Sequence, residues 1–308
     1  MTGLTGIVPI LLTPFSDDEA IDYESLHREV DMTLRAGVDG LGFAIGSEIF
    51  KLTPEERLTM LRSVVDQVSG EVPIIMNTSA PGTEVAVRLA LEAAKIGATR
   101  LMIWPPDFFP TGPDAVVTHL ARIADASSLP IILQDVPQSP ISPALARRIA
   151  NTVPLVDTIK VETQPNVEQV DAMAKAVGDR LSILGGAGGG TLVEEFRRGA
   201  KGTMPFASQS NEFVAVWKAL QTGDFDTAEN IIESSILPVS RLGFQGRDLF
   251  YHVHKTLLMR RGILHSVKVR MPTDEPNETT QMEIDRLMDR LVSSDLTDVG
   301  SLSQETET

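Results

Sequence analysis

The chain has 308 residues, 42% of them hydrophobic and 22% charged, which is a composition able to bury a large core in a soluble globular protein. Its formal net charge of −15 repels phosphate backbones and anionic membranes, so nucleic acid and membrane surfaces are not expected partners. The absence of cysteine excludes disulfides, thiolate metal sites and a cysteine nucleophile. No signal peptide and no apolar run near the ~20 residues of a membrane span is found, so a cytoplasmic location is expected.

Short apolar runs alternate along the chain with amphipathic stretches. In chain order the predicted strands are 6–15, 40–45, 72–78, 100–104, 130–133, 156–162, 181–184 and 202–206. The predicted helices are 22–36, one that opens at Thr53-Pro54-Glu55-Glu56, then 84–96, 113–126, 142–151, 167–177, 192–198 and 212–220. The strand runs are apolar on both faces, as expected for parallel strands covered by helices.

Eight strand–helix units in series predict an α/β fold that closes into a (β/α)8 TIM barrel over residues 1–222. An open doubly wound sheet is the alternative, but no dinucleotide fingerprint follows the first strand. Residues 223–294 predict a helical extension packed on the barrel, with helices at 225–236, 247–261 and 280–291. The polar and acidic segment 295–308 is predicted to be a disordered tail.

The sixth strand carries the most specific pattern, Thr158-Ile159-Lys160-Val161-Glu162. Because side chains alternate along a strand, Lys160 and Glu162 share one face, which points into the barrel if the apolar pair faces the helices. A lysine removed from water holds its proton less tightly, and its free amine can attack a ketone to form a Schiff base. A purely structural ion pair is the alternative, and the spacing alone does not decide between them.

The fifth strand ends with Gln134 and Asp135. Gln134 interrupts an apolar strand at the end where barrel active sites lie, so we expect its amide to face a bound oxygen. Asp135 is a candidate substrate-binding residue from its position, although its pattern favours capping of the following loop.

The loop after the second strand contains Gly46, Ser47 and Glu48. A glycine and a hydroxyl at a strand end can offer N–H and O–H groups to a carboxylate, so these three residues are candidate substrate-binding residues. On pattern alone a plain turn is the favoured explanation of the segment.

Two further patterns resemble ligand sites without matching a known motif. The glycine-rich run 185–190 fits neither the P-loop nor the dinucleotide pattern, and we interpret Gly186 as backbone clearance beside a ligand. His252 and His254 have no supporting carboxylate cluster, so packing is favoured over metal binding and no metal is predicted.

Taken together, the motifs resemble the dihydrodipicolinate synthase / N-acetylneuraminate lyase superfamily over nearly the whole chain. The matching segments are 6–15 (GIVPILLTPF), Ser47-Glu48, 52–57 (LTPEER), Ile159-Lys160 and 199–202 (GAKG). In that family the lysine of the sixth strand forms the Schiff base, and the resemblance gives this role to Lys160. It also implies a homotetramer and no cofactor.

The departures from the family pattern concern its proton-relay tyrosines. Gln134 replaces the tyrosine at the end of the fifth strand, and Phe108 follows Pro-Pro-Asp where the synthases carry another. The chain has only two tyrosines, Tyr23 and Tyr251, and neither lies at a predicted strand end. Dihydrodipicolinate synthase-like condensation is therefore not the favoured activity.

The branch that the chain resembles most is that of the 2-keto-3-deoxy-L-arabinonate dehydratases, which share Ser-Glu, Gln-Asp-x-Pro and Lys-x-Glu motifs with it. The resemblance implies catalytic roles for Gln134, Lys160 and Glu162, and dehydration of a 2-keto-3-deoxy sugar acid. A class I retro-aldolase that releases pyruvate is the first alternative, because it uses the same imine. A catalytically silent binder of 2-oxo acids is the second, and retention of both Lys160 and Glu162 argues against it.

Overall fold

The structure, a computed structural model, describes the backbone of residues 3–302 and the side chains of residues 3–292. The strands are β1 (Gly6–Ile7), β2 (Leu41–Phe43), β3 (Ile74–Asn77), β4 (Arg100–Ile103), β5 (Ile131–Asp135), β6 (Val156–Val161), β7 (Ser182–Gly185) and β8 (Gly202–Thr203). The helices between and after them are α1 (Tyr23–Ala36), α2 (Pro54–Val68), α3 (Thr83–Ile96), α4 (Pro113–Ser127), α5 (Pro143–Thr152), α6 (Asn166–Val177), α7 (Leu192–Phe196) and α8 (Ser210–Thr222).

All eight strands run parallel in the order β1-β8-β7-β6-β5-β4-β3-β2. The two strands at the ends of this order meet through a parallel bridge between Ile10 and Gly42, and the N–H of Leu11 donates to the Gly42 carbonyl at 2.9 Å. The sheet is therefore closed, and the prediction of a (β/α)8 barrel is confirmed.

The first strand is shorter than the predicted 6–15, because prolines interrupt its hydrogen bonding. Pro9 has no N–H to donate toward β2, and Pro205 has none to donate toward the first strand. Beyond Ile7 the contact with the eighth strand continues through bonds such as Ile10 N–H to the Pro205 carbonyl at 2.7 Å. The chain still lies in the barrel wall here, but regular strand geometry ends at Ile7.

Side-chain alternation divides the core into two layers. On β5, Ile131 and Leu133 pack in the large layer between strands and helices, whereas Ile132 belongs to the small cluster inside the barrel. On β6, Ile159 and Val161 likewise face the helices. The polar side chains that alternate with them are therefore directed toward the barrel interior, as the period of two predicts.

Beyond the barrel lie α9 (Phe225–Ile231), α10 (Leu237–Gly243), α11 (Leu249–Arg260) and α12 (Glu278–Leu302). The predicted helix 225–236 is divided, because a π-helical turn at Ile232–Ile236 joins α9 to α10. α12 includes residues 295–302 of the predicted disordered tail, and residues 303–308 lie outside the described residues. None of the helices in the described part of the chain is long and apolar enough to cross a membrane.

Barrel closure depends on Gly202, which lies in the GAKG motif. Its φ is +151°, and a Cβ built there would lie 1.9 Å from the backbone oxygen of Gly6 on the neighbouring strand. A side chain at this position would therefore force β1 and β8 apart.

We predict that Gly202→Ala lowers the free energy of unfolding by about 1–3 kcal/mol or more, because backbone atoms must move to admit the methyl group. Gly223→Ala is the matched control, since Gly223 also has a positive φ (+80°) but no atom within 4 Å of its added Cβ. Urea unfolding of both variants measures the difference. Equal destabilisation by the two substitutions would contradict this role of Gly202.

Candidate active site

A cavity of about 270 Å³ opens at the carboxyl ends of the strands, the end at which barrel enzymes place their chemistry. Lys160 and Glu162 line it together with Ile45, Gly46 and Gly188. Much of the remaining wall is apolar and includes Ile10, Val136, Pro137, Met204, Pro205, Phe206, Phe244 and Phe250.

Lys160 and Glu162 form an ion pair within this cavity. The distance from Lys160 Nζ to Glu162 Oε1 is 3.0 Å, and the side chains are 6% and 18% exposed. The amine thus has one carboxylate at hydrogen-bond distance and is largely shielded from water. The pair can exchange a proton and leave a neutral amine facing the cavity.

A chain of amides fixes the second oxygen of Glu162. Gln134 Nε2 donates to Glu162 Oε2 at 2.7 Å, and Asn77 Nδ2 donates to Gln134 Oε1 at 3.2 Å. Asn77 in turn accepts from the N–H of Ser79 at 2.9 Å. Because a carboxylate only accepts hydrogen bonds, Gln134 must turn its NH₂ toward Glu162. Its oxygen then faces Asn77 and accepts from the Asn77 NH₂, whose own oxygen is left to accept from the Ser79 N–H.

The glycine-rich run after β7 packs directly against Glu162. A Cβ at Gly186 would lie 2.4 Å from Glu162 Cγ, so this position leaves no space for a side chain. The N–H of Ala187 faces Glu162 Oε1 at 3.4 Å. The clearance predicted at Gly186 thus accommodates the Glu162 side chain of the protein itself.

Asp135, a candidate for substrate binding, is used within the protein. One oxygen accepts from the N–H of Ile141 at 2.7 Å and from Thr163 Oγ1 at 2.7 Å, and the other accepts from the Thr163 N–H at 3.2 Å. The residue is fully buried. Asp135 ties the loops after β5 and β6 together, which is the capping role that its pattern favoured.

In the loop after β2, Ile45 and Gly46 line the cavity, whereas Ser47 and Glu48 do not. Ile45–Ser47 forms a single 3-10 turn, whose first internal bond runs from the Ser47 N–H to the Ala44 carbonyl. The N–H groups of Ile45 and Gly46 precede that bond and have no acceptor within the turn. The Ser47 hydroxyl, expected to contact a ligand, instead donates to the Leu11 carbonyl and is fully buried.

Glu48, the third candidate in this loop, points away from the cavity into a buried ion cluster. Its carboxylate contacts Lys255 Nζ at 2.6 Å and Lys51 Nζ at 3.0 Å, and the Glu48 and Lys255 side chains are 0% exposed. Burial lowers the pKa of Lys255 to about 8, although the neighbouring Glu48 charge opposes this shift. The candidate substrate contact is therefore a structural ion pair with α11.

The two histidines of α11 pack against neighbouring side chains. His254 Nδ1 lies 2.7 Å from Ser208 Oγ, its ring stacks on Phe206 at 4.1 Å, and burial lowers its pKa to about 3. His252 Nε2 lies 3.0 Å from Thr273 Oγ1. Each is explained by packing and hydrogen bonding, as predicted.

Sequence reasoning missed two groups of residues. Asn77 breaks the apolar third strand as Gln134 breaks the fifth, so the same signal could have found it. Phe250, Tyr251 and Lys255 of α11 carry no local signal, because they reach the barrel only through the tertiary fold.

Comparison with known proteins identifies the family of the chain. The sequence profile of the Dihydrodipicolinate synthetase family matches residues 3–291. An L-2-keto-3-deoxyarabonate dehydratase of Azospirillum brasilense is 29% identical over 93% of this chain and 94% of that protein. A 4-hydroxy-tetrahydrodipicolinate synthase of Xanthomonas axonopodis pv. citri is also 29% identical, over 92% of this chain and 94% of that protein.

Solved structures agree with the profile. A dihydrodipicolinate synthase from Rhodopseudomonas palustris superposes with a TM-score of 0.84 at 29% identity, covering 94% of this chain and 100% of that one. A prophage protein of the dihydrodipicolinic acid synthase family from E. coli K12, solved with pyruvate, shares the fold with a TM-score of 0.85 at 23% identity, over 93% and 98% of the two chains. With a profile match across almost its whole length, the chain belongs to the dihydrodipicolinate synthetase family and is a lyase of that family.

Proposed function

We propose that the protein is a Schiff-base dehydratase of a 2-keto-3-deoxy sugar acid, of the 2-keto-3-deoxy-L-arabinonate type, with Lys160 as the nucleophile. The observation that carries the proposal is the 3.0 Å contact between Lys160 Nζ and Glu162 Oε1 inside the cavity. The dehydratase named among the relatives, at 29% identity, supports this substrate class. No metal or organic cofactor enters the proposed reaction.

Lys160 and Glu162 together can form the imine. A proton passes from the Lys160 ammonium to the Glu162 carboxylate, and the free amine adds to the C2 ketone of the substrate. Glu162 returns its proton to the C2 hydroxyl, which leaves as water. The resulting iminium withdraws electrons from C3 and makes its protons acidic.

Elimination then requires one base that can also act as an acid. Glu162 removes a C3 proton to give an enamine, and the enamine electrons expel the C4 hydroxyl, which leaves as water with the proton from Glu162. Tautomerisation and hydrolysis of the unsaturated iminium release the dehydrated 2-oxo acid and restore Lys160. Gln134 has no proton to relay, so in this proposal it holds Glu162 in place.

The substrate carboxylate needs donors at the other side of the cavity. Ile45 and Gly46 line the same cavity as Lys160, and their N–H groups have no acceptor within the turn. We assign binding of the C1 carboxylate to these two N–H groups. The Ser47 hydroxyl does not serve this purpose, because it donates its hydrogen bond to the Leu11 carbonyl.

The homotetramer implied by the family resemblance stays a prediction, and so does the cytoplasmic location expected from the sequence. Phe108 and Phe109, in the loop after β4, are 76% and 75% exposed, and we regard this aromatic pair as a candidate contact between subunits.

We predict that borohydride added in the presence of pyruvate or a 2-keto-3-deoxypentonate leaves a reduced adduct on Lys160, located by peptide mass spectrometry. Lys160→Met is the control, because it keeps an unbranched side chain of similar length and removes the amine. A folded protein that gives no adduct with any 2-oxo acid would refute the Schiff-base mechanism and favour a silent binder.

Product analysis separates dehydratase from aldolase. With a 2-keto-3-deoxypentonate we expect a five-carbon dehydration product and no pyruvate, because the bond from C4 to oxygen breaks rather than the C3–C4 bond. A coupled pyruvate assay beside mass spectrometry measures both products. Pyruvate formed in step with substrate loss would establish the retro-aldolase instead.

Glu162→Gln is predicted to lower kcat by about 10²- to 10⁴-fold, because the amide can hydrogen-bond but cannot carry a proton. Lys160 still forms the reducible adduct, but more slowly, because an amine adds to a ketone even without a neighbouring acid–base group, with water carrying the protons. Glu195→Gln is the matched control. Glu195 is buried near the same end of the barrel, and burial raises its pKa to about 7, so its amide variant resembles its protonated form. Full turnover of Glu162→Gln would remove the role given to Glu162.

A further inference from the structure

Helix α11 holds the 45–48 turn at both of its ends. Tyr251 Oη donates to the Ile45 carbonyl at 2.6 Å, and Lys255 Nζ donates to Glu48 Oε1 at 2.6 Å. Tyr251 and Lys255 lie four residues apart, one helical turn, so both side chains leave α11 on the same face. They reach across 206 and 207 residues of sequence to do so.

The bond from Tyr251 also constrains how the next N–H points, because it is a second donor to the Ile45 carbonyl, which accepts from the Glu48 N–H at 2.9 Å within the turn. The Ile45 carbonyl and the Gly46 N–H belong to one planar, trans peptide unit, so they point in opposite directions. A hydroxyl that holds the carbonyl on the α11 side therefore keeps the Gly46 N–H on the other side. Gly46 lines the cavity that contains Lys160.

The ion pair at the other end of the turn requires two charged groups to be removed from water. Glu48 and Lys255 are both 0% exposed, and the attraction between them must offset the desolvation of two charges. Two more contacts belong to this cluster. Lys51 Nζ binds the other Glu48 oxygen, and Lys255 Nζ donates to the Lys268 carbonyl at 2.7 Å. Glu48 itself has a φ of +53°, a conformation that non-glycine residues adopt only where their surroundings impose it.

We propose that Tyr251 and Lys255 are positioning residues that aim the backbone N–H groups of the 45–48 turn at the substrate carboxylate. This inference rests on the proposed function, in which Lys160 forms an imine with a 2-oxo acid. α11 also contributes Phe250 to the cavity wall, so this helix outside the barrel takes part in the site both directly and through the turn.

The competing explanation is that these contacts only attach α11 to the barrel. A purely structural role predicts that their loss lowers the Tm without changing how the site binds a carboxylate. A positioning role predicts weaker recognition of the carboxylate at unchanged chemistry. The two explanations therefore differ in the dependence of imine formation on 2-oxo acid concentration.

The test measures the rate of borohydride trapping at Lys160 against pyruvate concentration, in the full chain and in Tyr251→Phe. The substitution removes one hydroxyl and keeps the ring. We expect the half-saturating pyruvate concentration to rise about five- to tenfold, as for the loss of one hydrogen bond, with the rate at saturation within about twofold of the parent chain.

Two controls are matched to this variant. Tyr23→Phe removes the chain's other tyrosine hydroxyl, on α1, and should leave the pyruvate dependence unchanged. Methyl pyruvate has the same ketone without the anionic carboxylate, so Tyr251→Phe should not affect its trapping more than about twofold.

Glu48→Gln keeps the shape of the side chain but removes the charge that pairs with Lys255. This variant should also raise the half-saturating pyruvate concentration.

An unchanged pyruvate dependence in Tyr251→Phe, or an equal loss with methyl pyruvate, would overturn this inference and leave the proposed function standing. A lower Tm with unchanged pyruvate dependence would likewise overturn it and establish the structural role. If the parent chain forms no adduct on Lys160 with any 2-oxo acid, the proposed function fails and this inference fails with it.

Discussion

The site depends on keeping a lysine and a carboxylate 3.0 Å apart at the top of a largely apolar barrel. Two such groups are tolerated away from water only when each remaining polar atom has a partner. The structure meets this condition with the amide chain through Gln134 and Asn77 and with the close approach of the backbone at Gly186. The identity of these residues therefore follows from the requirement to hold one carboxylate in one orientation.

Replacement of the family's relay tyrosine by Gln134 fits the same constraint. An amide presents its NH₂ to Glu162 and its oxygen to Asn77, so it can fix a carboxylate but cannot pass a proton onward. In the proposed mechanism, proton transfer is then concentrated on Glu162, the one carboxylate beside the amine among the described cavity-lining residues. The proposed elimination breaks a C–H bond at C3 and a C–O bond at C4. A single carboxylate can take the C3 proton and return it to the departing C4 hydroxyl.

The parts of this arrangement that sequence could predict are those set by local periodicity. The shared face of Lys160 and Glu162 follows from strand alternation, and the eight-unit order follows from repeated apolar runs. The direction of the Ser47 hydroxyl could not be predicted, because a serine in a turn can face its own backbone or a ligand equally well. The contacts of Tyr251 and Lys255 with the 45–48 turn are long-range, and no pattern within one sequence encodes such a pairing.

Those long-range contacts have a consequence for the order in which the molecule is built. A chain emerging from the ribosome has exposed all eight barrel strands by Thr203, well before α11 at Leu249–Arg260 follows. Until that helix docks, the Ile45 carbonyl lacks Tyr251 and the Glu48 carboxylate lacks Lys255, and among the described residues only the local Glu48 N–H and Lys51 Nζ contact them. The barrel strands can therefore pair during synthesis, but the 45–48 turn receives its last contacts only when α11 docks. A nascent or truncated chain without α11 has the barrel but not the completed turn.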